Sequence, residues 1–215
     1  MTNPVTNPVT TRRLAAGAVA GIAFFALVTV TLPLAQPDHV VVRDSVSSLV
    51  LGPWGWLQTI AFWVVGAATF ALGLALRRAT LARVGPVLLL VAGVLDGVLA
   101  VFVTGRSGEP LTTGNRVHSI AATGSLGLSV LTMFVLAVTL WSSPRWAQAA
   151  RVSAGWGVVT VLAFVGSQAA TGDFGLSERL LLLGVNSWQA AAALTVLRAG
   201  RHTGSSGGRS PMRAG

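Results

Sequence analysis

The sequence predicts an all-α fold: a polytopic bundle of six transmembrane helices with both termini cytoplasmic. Three observations lead there. The first is composition. Of 215 residues, 53% are hydrophobic and only 10% are charged, where a soluble domain carries about a quarter charged residues. The second is segmentation into six apolar runs, each close to the ~20 residues that cross a ~30 Å hydrocarbon core. The third is the placement of the basic residues, all 15 of them arginine.

The spans are expected at 14–34, 56–76, 85–105, 117–141, 152–171 and 180–197. They should be helices, because a backbone in lipid must satisfy its own hydrogen bonds and no alternating ten-residue strand pattern argues for a barrel. The first follows Arg12 and Arg13 as a signal peptide would, but its apolar run is too long for one and no Ala-x-Ala site follows in "LPLAQPDH". An uncleaved helix is expected. The sixth is the most polar, with Asn186 and Gln189 inside it and Arg179 and Arg198 placed to snorkel at its ends. Residues 1–13 and the Gly/Ser/Arg-rich tail 199–215 are expected to be disordered cytoplasmic segments flanking the 14–198 membrane domain.

An even number of spans puts both termini on one side. That side holds Arg12, Arg13, Arg77, Arg78, Arg83, Arg145, Arg151, Arg198, Arg201, Arg209 and Arg213. The other holds Arg43, Arg106, Arg116 and Arg179. The excess marks the termini as cytoplasmic. Asp38, Asp44, Glu109, Asp173 and Glu178 fall in the outer loops, leaving Asp96 as the acid within a span. Trp54 and Trp56 at one face, and Trp141 and Trp146 at the other, fit an aromatic belt. The net charge of +9 comes mainly from arginines that flank spans, so it orients the chain toward anionic lipid rather than nucleic acid. With no lysine and abundant Ala, Val and Gly, the composition suggests a bacterial, GC-rich origin and the bacterial plasma membrane.

The polar residues inside the spans gather toward the outer face. At about 1.5 Å of rise per residue, Asp96 lies ~13 Å below the outer end of its helix, Ser125 ~12 Å, Asn186 ~9 Å, Gln189 ~13 Å and Gln168 ~5 Å. His118, Ser125, Ser129 and Thr132 share one stripe of the fourth helix, with Ala121 and Ala122 between them. Gly93 and Gly97 make a small-residue stripe beside Asp96, and Gly17 and Gly21 make another on the first helix. Such stripes admit close helix approach, so Asp96 should face a neighbour rather than lipid, with Ser125 or Gln189 as its nearest partner. His118 is expected to fix a loop by a hydrogen bond. Asp44 and Ser45 stand where they could cap the second helix. Cysteine is absent. No P-loop, GxSxG or dinucleotide fingerprint calls for a cofactor, and His39, His118 and His202 are too scattered for a metal site.

Three stretches carry a family likeness: "RDSVSSLVLGPWGWLQTIAFWVVG", "FVTGRSGEPLTTGNRVHSIAA" and "GLSERLLLLGVNSWQAAAAL". They resemble the DUF998 family, respectively its block entering helix two, its loop into helix four and its last helix. The likeness covers residues 14–198. It implies a six-helix integral membrane protein with no established activity. It also points to Arg43, Ser45, Ser48, Gly114 and His118, all at the outer face. Where the family often ends its third helix in Phe-Pro-Thr-Asp, this chain has Phe102, Val103, Thr104 and Gly105, so the acid is missing from that place.

The expected site is therefore an outward-facing polar pocket of Asp96, His118, Ser125, Asn186, Gln189, Arg43, Ser45, Arg106 and Arg116. The first reading of its role is binding a lipid, a small molecule or a membrane partner. An intramembrane enzyme acting on a lipid headgroup ranks second, because Asp96 and His118 are ~12 Å apart in depth, too far for a catalytic pair. A small proton-coupled transporter ranks third, since no inverted repeat or broken helix is evident.

Overall fold

In the structure, a computed structural model, residues 7–106, 110 and 112–199 are described. The expected disordered tail lies outside them beyond Ala199, as do the first six residues and Glu109. Six helices are present: α1 Pro8–Thr31, α2 Gly55–Ala79, α3 Val84–Val101, α4 Thr113–Leu140, α5 Ala147–Thr171 and α6 Phe174–Ala199. All six are long and apolar enough to cross a membrane, a multi-pass arrangement, and no strand occurs among the described residues.

Several helix ends differ from the sequence expectation, each for a local reason. α1 begins at Pro8, so residues 8–13, expected to be disordered, are helical. The Asn7 side chain accepts the Val9 and Thr10 N–H groups, and proline suits the first helical turn. α4 begins at Thr113 because Thr112 Oγ1 takes the Asn115 N–H. α3 stops at Val101, where Phe102 turns extended and gives its carbonyl to His118. α6 begins at Phe174, six residues early. Its opening N–H groups, on Gly175 and Leu176, donate to the carbonyls of Arg43 and Val42. Glu178 and Arg179 are thus helix residues packed on a neighbour, not loop or snorkelling residues.

Each helix packs on its sequence neighbours, and α1 against α6 closes the ring. α1 is part of the core: Ala15 and Ala18 are fully buried. α2 and α3 cross backbone to backbone, where a Cβ on Gly93 would stand 2.6 Å from the Gly66 carbonyl oxygen. Gly21 meets Ala68 of α2 in the same way, with 2.7 Å between the added Cβ and the alanine's own. Gly17 meets nothing, so its stripe is used at one position.

Two apolar clusters form the core. One occupies the end carrying the termini, around Leu72, Leu76, Met133, Leu136, Trp188 and Val196. Trp146 belongs to it: rather than joining Trp141 at an interface it is 7% exposed, with the Arg145 guanidinium 5.5 Å from its ring centroid. The second cluster occupies the opposite end, around Phe25, Leu49, Phe62 and Leu99. That end is covered by the α1–α2 connection, which winds into a short 3₁₀ helix, Val46–Leu51, here called the roof helix.

Candidate functional site

The roof is fixed by contacts at both ends. Ser45 caps it from within by accepting the Ser48 N–H at 3.2 Å. Glu178 of α6 accepts the Val46 N–H at 2.7 Å, filling a first-turn donor that a short helix cannot satisfy itself. At the other end Gln36 Nε2 donates to the Leu49 carbonyl at 3.0 Å. Asp44 accepts the Val40 N–H and the Arg43 Nε–H, both at 2.8 Å. Asp44 and Ser45 therefore cap the roof and the turn before it, not α2, whose N-cap position is Trp54 without a side-chain bond. Gly175 permits the docking: a Cβ there would stand 2.5 Å from the Asp44 carbonyl oxygen.

The roof divides the expected pocket in two. Beneath it lies a cavity of about 50 Å³, which Asp96, His118, Ser125, Asn186 and Gln189 all line. Thr69, Ser129 and Glu178 line it too, and Val46 and Ser47 of the roof close it. A water needs roughly 10–15 Å³ by this measure, so the cavity has room for about three to five. Above the roof is a wider vestibule of about 810 Å³. Arg43, Ser45 and Arg106 line it, with His39, Asp38 and Asp44. Arg116 is exposed on the first turn of α4 and lines neither space, and Gln168 is likewise in neither lining.

A polar layer crosses the cavity floor. Ser125 Oγ donates to Asp96 Oδ1, joining α4 to α3. Thr69 flanks the same carboxyl from α2 and donates to Gln189 Oε1 at 3.2 Å. Gln189 Nε2 reaches Ser129 Oγ at 3.5 Å. Asp96, partly buried, thus belongs to an inter-helix network rather than to the lipid-facing groove beside Gly93 and Gly97.

His118 is 2% exposed. Its Nδ1 stands 2.6 Å from the Phe102 carbonyl, which can only accept, so Nδ1 carries the proton. In the neutral ring Nε2 is then a lone-pair acceptor. It is buried, has no protein partner and belongs to a side chain that lines the cavity. Phe62 packs edge-on against the ring, at 6.1 Å between centroids. No three His, Asp or Glu side chains among the described residues are grouped closely enough to hold a metal ion.

Above the roof, Arg179 Nη1 donates to the Asp44 and Gly175 carbonyls at 2.7 and 3.0 Å. Its Nη2 donates to His39 Nε2 at 2.8 Å. Burial, then the Arg179 charge, push the His39 pKa below its ordinary value. The hydrogen bond from Arg43 holds the Asp44 carboxyl below the usual carboxylate range.

Residues 19–195 match the family described as "Protein of unknown function (DUF998)". The chain belongs to the DUF998 family. No curated protein and no solved structure matches it. In this DUF998 protein, sequence reasoning missed Thr69, Glu178 and Arg179 as site residues. The signal for the last two was a charged pair set directly before "LLLL" in the most polar span. Thr69 gave none, since span threonines usually bond their own helix carbonyls.

Proposed function

We propose that this DUF998 protein binds a lipid or a lipid-like small molecule at the roof end of the bundle. The head of the ligand occupies the vestibule and its tip reaches the cavity under the roof helix. The observation that supports this most is the stacked pair of spaces, a wide, half-polar entrance above a small, mostly apolar chamber that contains a buried acceptor with no protein partner. The arginine distribution favours the roof end as the outer face of a bacterial plasma membrane, with both termini cytoplasmic. Catalysis is the weaker reading: His118 is tied to a backbone carbonyl and not to an acid, so no oriented acid–base pair supports it.

The test is mass spectrometry of molecules retained by the protein when it is extracted in native membrane discs. The parent should hold a defined species in fixed ratio. Ser47→Trp, which fills the chamber from the roof, should lose it while keeping its helicity and melting temperature. Retention of nothing but bulk lipid in membrane proportions refutes the reading. Reporter fusions at residue 110 and at the C-terminus should report opposite sides, and an extracytoplasmic C-terminus would overturn the orientation.

A further inference from the structure

The chamber under the roof is mostly apolar, and its ionisable groups are one-sided. Two carboxyl groups line it, Asp96 from α3 and Glu178 from α6, together with the lone pair of His118 Nε2 from α4. Among the described residues no arginine lines it. The nearest in sequence, Arg179, is engaged above the roof with Asp44, Gly175 and His39. Two carboxyls and an unpartnered lone pair in an otherwise apolar chamber call for a ligand that brings hydrogen-bond donors and positive charge. The space of about 50 Å³ fits one small group and not a whole headgroup.

We propose that the chamber binds a primary alkylammonium group, R–CH₂–NH₃⁺. One of its N–H donors matches the His118 lone pair, and its positive charge offsets a carboxylate lining the same chamber, in a setting where an unpaired charge is costly. A quaternary ammonium has no N–H to give Nε2. The amine belongs either to the head of an aminophospholipid or to a free small amine. In naming the ligand chemistry of the same chamber, this inference rests on the binding function proposed above.

The experiment uses the full chain in discs of phosphatidylglycerol, with melting followed by tryptophan fluorescence. Ethylammonium chloride and tetramethylammonium chloride are titrated at constant ionic strength. Native mass spectrometry of discs doped with phosphatidylethanolamine forms the second arm. Ethylammonium should raise the melting temperature saturably and tetramethylammonium should not. Retention of phosphatidylethanolamine over phosphatidylglycerol assigns the amine to lipid, and a response to ethylammonium without such retention assigns it to a free amine. Glu178→Gln keeps an acceptor for the Val46 N–H, so the roof stays capped, and it should weaken ethylammonium binding by about tenfold or more. Asp96→Asn, which keeps an acceptor for Ser125, should act likewise and decides the matter if the first variant folds poorly. Equal responses to the two cations, no response to either amine source, or parental binding by both variants overturns the proposal. Should the copurified species lack an amine, this inference falls and the binding function stands. Should nothing be retained and no amine bind, both fall.

Discussion

The two ends of the bundle are built on different principles. The end carrying the termini is closed by large apolar side chains, and its buried Trp188 is satisfied within the protein: Nε1 donates to Ser153 Oγ of the neighbouring helix at 2.9 Å. The roof end contains a chamber, two acids, a histidine with an unpartnered nitrogen and a glutamine with none of its amide atoms bonded. Both ends are built from the same six membrane-crossing helices. The difference teaches where the chain is free to be polar. One end fixes the helices in place, and the other keeps polar groups whose partners the protein does not supply. Buried polar groups left that way cost stability and persist at functional sites.

The comparison breaks most sharply at Trp188, which is 1% exposed and among the largest fully buried side chains. Trp188→Ala leaves a cavity between α5 and α6 and strands Ser153. The expected loss is about 3 kcal/mol, the low end for such truncations because lipid offsets part of the transfer cost. Thermal unfolding in mild detergent measures it. A loss no larger than that of the polar substitutions below would mean that the terminal end is not the anchor.

Asp96 comes next. Asp96→Leu removes the acceptor of the Ser125 hydroxyl and unsettles Thr69 and Gln189, for an expected loss of about 1–2 kcal/mol. Asp96→Asn keeps an oxygen for Ser125, so its melting temperature should stay near the parental value. If the asparagine variant unfolds as readily as the leucine one, the carboxyl is structural, and the contrast between the two ends weakens.

How much of this could be read from residues alone follows the range of the interactions. The six helices rest on apolar length, and the buried stripe of α4, from His118 to Thr132, rests on helical spacing, so both were legible. Depth matching pairs Asp96 with Ser125, a contact within one layer of neighbouring helices. The division into chamber and vestibule was not legible. It depends on a 3₁₀ helix held by Glu178, 132 residues away in sequence, and by Gln36. No local pattern announces a cap supplied from so far. Glu178 and Arg179 read as loop residues because hydropathy places a span boundary wherever charge appears, whereas α6 continues past them by giving its first N–H groups to the loop backbone.

Gln58 tests the contrast in the opposite direction. It is fully buried on α2, one turn before Phe62, and neither Oε1 nor Nε2 has a partner. Replacing an unsatisfied buried amide by an apolar side chain of similar size removes a desolvation penalty. Gln58→Leu should therefore raise stability by about 1 kcal/mol, seen as a higher melting temperature. A destabilised Gln58→Leu would show that this amide has a bonding partner in the membrane, and that the roof end is better satisfied than its protein contacts indicate.

The smallest expected effect concerns the roof's outer latch. Arg179 can only donate, so His39 Nε2 must accept, and the ring is neutral with its proton on Nδ1, 3.4 Å from Ser48 Oγ. Ser48 in turn donates to the Ser45 carbonyl at 2.7 Å, leaving its oxygen free to receive that proton. Protonating His39 puts a second N–H against the guanidinium and breaks the latch. Because the folded pKa lies below the ordinary histidine value of 6.5, the unfolded or undocked state binds the proton more readily. Stability from the latch is thus fully present above about pH 6.5. It declines as pH falls through that value toward the lower folded pKa. Asp44 does not interfere in this window, since Arg43 holds its carboxyl ionised well below it. Hydrogen exchange across residues 39–51 should quicken from pH 7.5 to pH 5.5, beyond the intrinsic pH dependence of exchange, while exchange in the terminal half of α6 does not. His39→Gln, which offers Arg179 an acceptor but does not titrate, should flatten the response. A roof that loosens equally in the glutamine variant would place the pH sensitivity elsewhere in the outer half, and would remove His39 as the latch.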